Sequence, residues 1–127
     1  MAKKIGITAK NCAAAIGPYS HANKFCNLIF TSGQIPFTPE GELISEDVQE
    51  QTRQCLENVK AILEEAGSSM DNVLKCTIFI SDMNDFPKIN EVYAEYFGKP
   101  FPARSCVEVA RLPKDVKVEI EAIAIAE

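Results

Sequence analysis

The chain has 127 residues, of which 46% are hydrophobic and 24% are charged, a composition typical of folded globular proteins rather than disordered ones. The length fits one domain, so we expect residues 1–127 to fold as a single unit. The formal net charge of -5 argues against a protein that neutralises nucleic-acid phosphates with clustered basic residues. No apolar run is long enough to cross a membrane, and we predict a cytoplasmic protein.

The cysteines are scattered along the sequence without a C-x-x-C pair, and His21 is the one histidine that could join them at a metal. This spacing fits neither a disulfide framework nor a structural zinc site. We therefore interpret most of them as buried or half-buried free thiols in a reducing compartment. The five residues are Cys12, Cys26, Cys55, Cys76 and Cys106.

The first half of the chain predicts a strand, a turn and one long helix. Residues 24–33 are rich in Phe, Leu, Ile and Thr and end in glycine, which is typical of a strand that leads into a turn. Gly41 follows two prolines and marks a hairpin. Ser45 is the predicted N-cap of an amphipathic helix that has an acidic first turn and runs to Gly67.

The second half predicts a strand, a second helix and two further strands. Residues 73–80 are β-branched and apolar, whereas apolar residues recur at helical spacing over Pro87–Phe97, where Gly98 ends the helix. Residues 103–109 and 116–126 both alternate, as strands do. This order of elements predicts an α+β fold with one mixed sheet and both helices packed on one of its faces.

The last predicted strand has two different sides. The even-numbered side, from Val116 to Ala126, is apolar and contains small alanines that suit close packing of a helix. The odd-numbered side changes from charged to apolar after Glu121, where Ile123 and Ile125 follow. A small domain that exposed these isoleucines would be prone to aggregation, so we expect the open face of the sheet to contact another subunit. The alternative is a monomer with an apolar edge.

Three segments place polar and reactive side chains at predicted strand ends and turns. They are residues 17–20, 31–34 and 102–106. Alternation puts Arg104 and Cys106 on one face of their strand. If the valines of that strand face the helices, Arg104 and Cys106 share the open face with Glu121. We therefore expect the three segments to meet in one site.

Arg104 is the candidate anchor for a substrate carboxylate, because a planar guanidinium forms two parallel charge-assisted hydrogen bonds with such a group. On spacing alone, an ion pair with Glu108 or Glu119 is the more common arrangement. Glu121 lies where its side of the strand turns apolar, a setting that suits a carboxyl group that transfers a proton or holds a water. The alternative is a solvated strand glutamate like Glu119.

Four further residues are weaker candidates when they are judged by type and position. Cys106 lies two residues from Arg104, but no base is close in sequence, so we interpret it as a pocket-lining group rather than a nucleophile. Tyr19 is more typical of a turn, and Ser32 of a strand end, than of catalysis. Asn90 lies within the second predicted helix and by itself indicates no function.

These same residues match the pattern of the Rid (reactive intermediate deaminase) family, and the resemblance covers essentially the whole chain. The strongest segment is PARSCVEVARLP at residues 102–113, followed by VEIEA at residues 118–122. AIGPYS at residues 15–20 and FTSGQIP at residues 30–36 resemble two further motifs of the family. Together these segments are highly specific.

The resemblance implies a chorismate-mutase-like fold of the bacillary type, assembled as a homotrimer with three clefts between subunits. In the family pattern the arginine at the position of Arg104 binds the substrate carboxylate, and the glutamate at the position of Glu121 orients a water. His21 departs from the pattern, because many relatives carry glutamine there. The positions that line the cleft are those of Tyr19, Ser32, Gly33, Asn90 and Cys106.

The activity that the resemblance implies is hydrolysis of 2-iminobutanoate, and of 2-iminopropanoate with its enamine tautomer 2-aminoacrylate, to 2-keto acids and ammonia. This reaction requires no metal and no cofactor. One alternative is a binding module that holds small carboxylates in the same cleft without releasing ammonia. Another is a ribonuclease or translation inhibitor, as ascribed to some relatives, although the acidic charge balance and the lack of paired histidines count against it. Holdase-type chaperone activity would leave no mark in the sequence.

Overall fold

The computed structural model describes residues 3–126, which form one six-stranded sheet and two α-helices. The strands are β1 (Ile5–Ile7), β2 (Ala22–Phe25), β3 (Leu28–Thr31), β4 (Val73–Ile80), β5 (Ala103–Glu108) and β6 (Val118–Ile125). The helices are α1 (Val48–Glu65) and α2 (Phe86–Tyr96). The strand order is β1-β2-β3-β6-β4-β5, with β4 and β5 parallel and the other neighbours antiparallel. The predicted α+β fold with a mixed sheet is confirmed.

Both helices pack on one face of the sheet, because each helix presents one apolar stripe. Leu56 and Val59 on α1 are fully buried, and Ile89 and Val92 on α2 are at most 1% exposed. The sheet residues beneath them include the even-numbered positions of β6 from Val118 to Ala124, which are at most 2% exposed. The predicted division of the last strand into a helix-facing side and an open side is confirmed.

Helix α1 begins two residues later than the sequence predicts. Its N-cap is Asp47, whose carboxylate accepts a hydrogen bond from the Glu50 amide at 3.0 Å. Ser45, the predicted N-cap, instead accepts a hydrogen bond from the Asp47 amide. Both residue types cap helices well, and aspartate also places a negative charge at the positive end of the helix dipole. At the other end, Gly67 has a φ of +83° and terminates the helix as predicted.

The predicted strand over residues 24–33 is wrong, because this segment contains a hairpin. Strands β2 and β3 pair antiparallel, and the turn between them contains Cys26 with a φ of +56°. Tight hairpin turns usually carry glycine or asparagine at such positions. Because cysteine is uncommon there, the residue type did not indicate a turn. Gly41 has a φ of +85° and lies in a turn, as predicted. An antiparallel bridge between residues 37 and 43 closes this turn.

Helix α2 is the crossover between the parallel strands β4 and β5. It begins at Phe86, and Pro87 occupies the first turn, where the missing proline N–H breaks no helical hydrogen bond. It ends at Tyr96, because Phe97 adopts an extended conformation with a φ of -131°, so the predicted stop at Gly98 is not used. The crossover places α2 beside β5, the edge strand that carries Arg104. No helix among residues 3–126 is both long and apolar enough to cross a membrane.

The helices leave the other face of the sheet uncovered, and we call it the open face. Phe30 on β3 stands beside Ile123 on β6, and Phe79 on β4 stands beside Val107 on β5. Phe30 and Val107 are 46% and 45% exposed, respectively. The open face therefore carries a patch of large apolar side chains that the single chain does not bury and that the polar row of Glu121 and Thr77 interrupts.

Candidate functional site

Arg104 and Cys106 lie on the helix-facing side of the sheet and not on the open face. In the register between β4 and β5, each of them stands beside a β4 residue that is fully buried under the helices. Val107 alternates with them and points to the open face, where Glu121 also lies. The expectation that Arg104 and Cys106 share a face with Glu121 is therefore wrong. It assumed that valine marks the core side, which fails on an edge strand where both sides are partly exposed.

Neutral groups of α2 hold the side chain of Arg104. Nη1 of Arg104 donates a hydrogen bond of 2.6 Å to Oδ1 of Asn90. Cζ of Arg104 lies 5.1 Å from the ring centroid of Phe86 and 4.9 Å from that of Tyr93. Both distances are within the range of cation–π attraction. The guanidinium is thus oriented by an amide and two aromatic rings.

No carboxylate within residues 3–126 forms an ion pair with Arg104. The ion pairs of this part of the chain are Arg53–Glu95 and Arg111–Asp115. The expected partner Glu108 accepts a hydrogen bond from the Met83 amide, and the other expected partner, Glu119, lies on the opposite face of the sheet. The remaining N–H donors of this exposed arginine are therefore available to an anionic ligand.

A cavity of about 480 Å³ opens beside the guanidinium, and we call it the arginine pocket. Its walls are mostly apolar and aromatic, and its one charged side chain is that of Arg104. Such a combination suits a small molecule with a carboxylate and an apolar body. The lining residues are Asn90, Tyr93, Ala94, Phe97, Phe101, Pro102 and Arg104.

Tyr19, Ser32 and Gly33 line a different cavity of about 380 Å³, which we call the tyrosine pocket. The Ser32 hydroxyl donates a hydrogen bond of 2.7 Å to the carbonyl of Ser20, so its proton is already engaged. Tyr19 is 48% exposed and is not enclosed by the chain itself. Two of the three segments that were expected to meet, those of Tyr19 and Ser32, thus reach one cavity.

The carboxyl group that lines the tyrosine pocket is that of Glu119. Its side chain packs so closely on Gly33 that a Cβ atom at this glycine would overlap the carboxylate. Burial raises the pKa of Glu119, and the neighbouring charge of Glu121 raises it further. Glu121 lies on the same open face, opposite Thr77 of β4. Glu119 is therefore not the solvated strand glutamate that its sequence position suggested, and strand alternation places it on the same side as Glu121.

The arginine pocket and the tyrosine pocket do not form one cleft within the chain. Arg104 lies on the helix-facing side of edge strand β5, whereas Glu119 lies on the open face of β6, with β4 between the two strands. The expected meeting of all three reactive segments therefore does not occur within one copy. Each pocket therefore holds only part of the predicted site residues.

Cys106 is half-buried, and burial raises its pKa although the charge of Arg104 opposes the shift. A thiol with a raised pKa carries little thiolate at neutral pH, which argues against a nucleophile. Cys106 is also not among the residues that line the arginine pocket or the tyrosine pocket. Among residues 3–126 there is no group of three or more His, Cys, Asp or Glu side chains able to hold a metal ion.

His21 is a buried structural residue. It stands at the position where the family resemblance leads us to expect glutamine. Its Nδ1 accepts a hydrogen bond from the Ala9 amide at 2.9 Å. Its Nε2 lies 2.9 Å from the carbonyl oxygen of Ala13, to which it donates. These partners require the neutral tautomer with the proton on Nε2, because an amide only donates and a carbonyl only accepts. His21 directly precedes β2 and thus ties residues 9–13 to the sheet. Tyr19 lies in the segment between these two points.

Known proteins match this chain over almost its whole length. The family model described as Endoribonuclease L-PSP matches residues 9–126. A RutC family protein of Pyrococcus abyssi is 56% identical over 128 residues, which cover 100% of both chains. A 2-iminobutanoate/2-iminopropanoate deaminase of Salmonella typhimurium is 52% identical over 122 residues, which cover 94% of this chain and 95% of the relative.

Solved structures of similar sequence have the same fold. Escherichia coli TdcF, determined with bound serine, is 51% identical, with a TM-score of 0.91 over 97% of this chain and 99% of that one. YyfA of Yersinia pestis, described as a member of the conserved Rid protein family, is 48% identical, with a TM-score of 0.95 over 98% of this chain and 100% of that one. The chain therefore belongs to the Rid family, whose model carries the description Endoribonuclease L-PSP.

Proposed function

We propose that the protein is a cytoplasmic imine and enamine deaminase that hydrolyses 2-iminobutanoate and 2-iminopropanoate to 2-keto acids and ammonia. The observation that carries this proposal is the exposed guanidinium of Arg104, which has no carboxylate partner within residues 3–126 and borders an apolar pocket. Relatives named 2-iminobutanoate/2-iminopropanoate deaminase support the activity. The serine bound by E. coli TdcF supports a site for a small molecule with a carboxylate.

The proposed site lies between two copies of the chain in a homotrimer. Each copy holds half of the required groups, with the anchor in its arginine pocket and the carboxyl group of Glu119 in its tyrosine pocket. The open face supplies an apolar surface for the contact, through residues such as Phe30 and Val107. Burying that patch would bring edge strand β5 of one copy towards the neighbouring copy and would shield a bound imine from bulk water.

In the proposed mechanism, Arg104 binds the substrate carboxylate through two parallel hydrogen bonds and holds the C=N carbon next to a water. Glu119 of the neighbouring copy accepts a proton from the water as its oxygen bonds to that carbon, and the carboxyl group returns this proton to the nitrogen, which gives a neutral carbinolamine. The carbinolamine hydroxyl group then passes its proton through the same carboxyl group to the nitrogen. As the C=O bond forms, the C–N bond breaks, so that ammonia leaves and a 2-keto acid remains. The raised pKa of Glu119 suits such transfer, because burial makes this carboxyl group take up a proton more readily than an ordinary glutamate does.

The roles of the other candidates follow from their positions in this scheme. Asn90 orients Arg104 through its hydrogen bond, and Cys106 lies beside the anchor on the same side of β5. Tyr19 lines the opposite wall of the cleft from the neighbouring copy. Burial is the main cause of the raised pKa of Glu119, and the charge of Glu121 adds to it. In this scheme Glu121, the residue that the family resemblance indicated for orienting water, acts as that charged neighbour.

The proposed activity is tested with freshly generated 2-iminobutanoate. We expect ammonia and 2-oxobutanoate to appear faster than in the spontaneous reaction, at a rate proportional to protein concentration. Binding of 2-oxobutanoate without accelerated ammonia release would favour the alternative of a carboxylate-binding module. Cleavage of RNA under the same conditions, with no effect on the imine, would favour the ribonuclease alternative.

The proposed assembly predicts that light scattering at micromolar concentration reports about three times the 14.0 kDa mass of the chain. Phe30→Glu places a charge in the apolar patch of the open face, so we expect this variant to shift towards the monomer mass and to lose activity. Glu95→Gln on the outer helix surface is the matched control and is expected to remain trimeric. A stable wild-type monomer with full activity would contradict both the trimer and the shared cleft.

A further inference from the structure

We propose that Phe86 and Tyr93 are positioning residues that hold the guanidinium of Arg104 in the orientation needed to bind a carboxylate. We call the two rings the aromatic clamp. The inference rests on the proposed function only insofar as Arg104 is the anchor for a carboxylate. Neither ring is a predicted site residue, because only the tertiary structure brings the two rings to β5.

The clamp contacts the cation without neutralising it. The Cζ atom of Arg104 is 5.1 Å from the Phe86 centroid and 4.9 Å from the Tyr93 centroid, and Asn90 accepts one guanidinium hydrogen bond. All three groups are neutral, so they attract the guanidinium without competing with an anionic ligand as a carboxylate would. The positive charge thus remains available while the side chain is oriented.

The three supports share one side of α2. Phe86, Asn90 and Tyr93 are spaced by four and three residues, which brings them to the same side of a helix. The crossover connection places that side over β5, where Arg104 lies. A long exposed arginine loses rotamer freedom when it grips a ligand, and contacts that orient it beforehand reduce this loss.

The ring of Tyr93, rather than its hydroxyl group, is the part that acts on Arg104. Tyr93 is 7% exposed, and its ring packs against that of Phe97 in a tilted arrangement with a centroid distance of 4.6 Å. Its hydroxyl group is buried beside the thiol of Cys76, a weak hydrogen-bond partner. Because a buried hydroxyl with so weak a partner favours folding little, Tyr93→Phe should retain the clamp and keep a stability close to that of wild type.

The test is calorimetric titration with 2-oxobutanoate, the expected product, which the protein does not consume. We expect Phe86→Leu and Tyr93→Leu each to raise the Kd by about 2-fold to 30-fold, the range that corresponds to one cation–π contact. Tyr93→Phe should restore the Kd to within about 2-fold of wild type. Tyr96→Leu is the matched control, because Tyr96 lies on the same helix but its hydroxyl group donates a hydrogen bond to Glu57. This variant should leave the Kd unchanged.

A double-mutant cycle separates positioning from a general structural effect. If the rings act through Arg104, the leucine substitutions should not weaken binding further in an Arg104→Ala background. Equal losses of affinity in both backgrounds would overturn the clamp, as would a wild-type Kd in both leucine variants. As a control, the Tm and the assembly mass of each leucine variant must match those of wild type. Phe86 is only half-buried, so Phe86→Leu is expected to disturb the fold less than Tyr93→Leu. A wild-type protein that binds 2-oxobutanoate but releases no ammonia would contradict the proposed reaction and leave the clamp testable by the same titration.

Discussion

Replacing Arg104 with alanine is expected to bring hydrolysis of 2-iminobutanoate close to the uncatalysed rate. The substrates share a carboxylate and little else, and Arg104 is the one charged side chain of the arginine pocket. Removing one partner of a charge pair that is shielded from water weakens binding by about 30-fold to 5,000-fold. We expect a loss of this size in kcat/KM, measured by ammonia release.

Arg104→Lys refines the same prediction, since lysine retains the charge but loses the planar fork and its stacking on the aromatic clamp. It should recover only a small part of the activity. Arg53→Ala is the matched control, because Arg53 pairs with Glu95 on the helix surface and both side chains are substantially exposed. A folded, trimeric Arg104→Ala protein that hydrolyses 2-iminobutanoate at the wild-type rate would refute the carboxylate anchor.

Replacing Glu119 with glutamine is expected to lower kcat by about 100-fold to 10,000-fold, the usual contribution of a positioned general acid or base. Glutamine has a similar shape but cannot accept or return the proton. The affinity for 2-oxobutanoate should change little, because Glu119 does not touch the anchor. Glu121→Gln is the discriminating comparison, and we expect it to retain more activity than Glu119→Gln. The reverse order would support Glu121, the position indicated by the family resemblance, as the residue that orients water.

The stability of Glu119→Gln as a function of pH shows whether that loss is chemical. Burial raises the pKa of Glu119 in the folded chain above its ordinary value of 4.5. At a pH between the ordinary pKa of the unfolded chain and the raised pKa of the folded chain, the folded state binds more protons than the unfolded state. The contribution of Glu119 to the free energy of unfolding therefore falls as pH rises through this range. Above the raised value, the charged carboxylate destabilises the fold. Glu119→Gln removes this cost, so its Tm at pH 7 should equal or exceed that of wild type.

The sequence alone determined the elements whose pattern is set by burial along a single segment. β6 alternates because its even-numbered side chains pack under the helices and its odd-numbered ones do not, and this could be predicted before any fold was known. The apolar stripe of α1 and the glycine that ends it are equally local signals. The motif around Arg104 identified the family, because it depends on the order of residues and not on how they pack.

Tertiary structure alone decided which side of β5 faces the helices and which residues meet Arg104. β5 is an edge strand and is exposed on both sides, so its valines carry no burial signal and suggested the wrong face. The hairpin at Cys26 was hidden because its left-handed residue is not one of the usual types. The aromatic clamp and the contact between Glu119 and Gly33 join residues that are distant in sequence. Such contacts arise from the packing of a crossover helix and the pairing of strands, which no local pattern records.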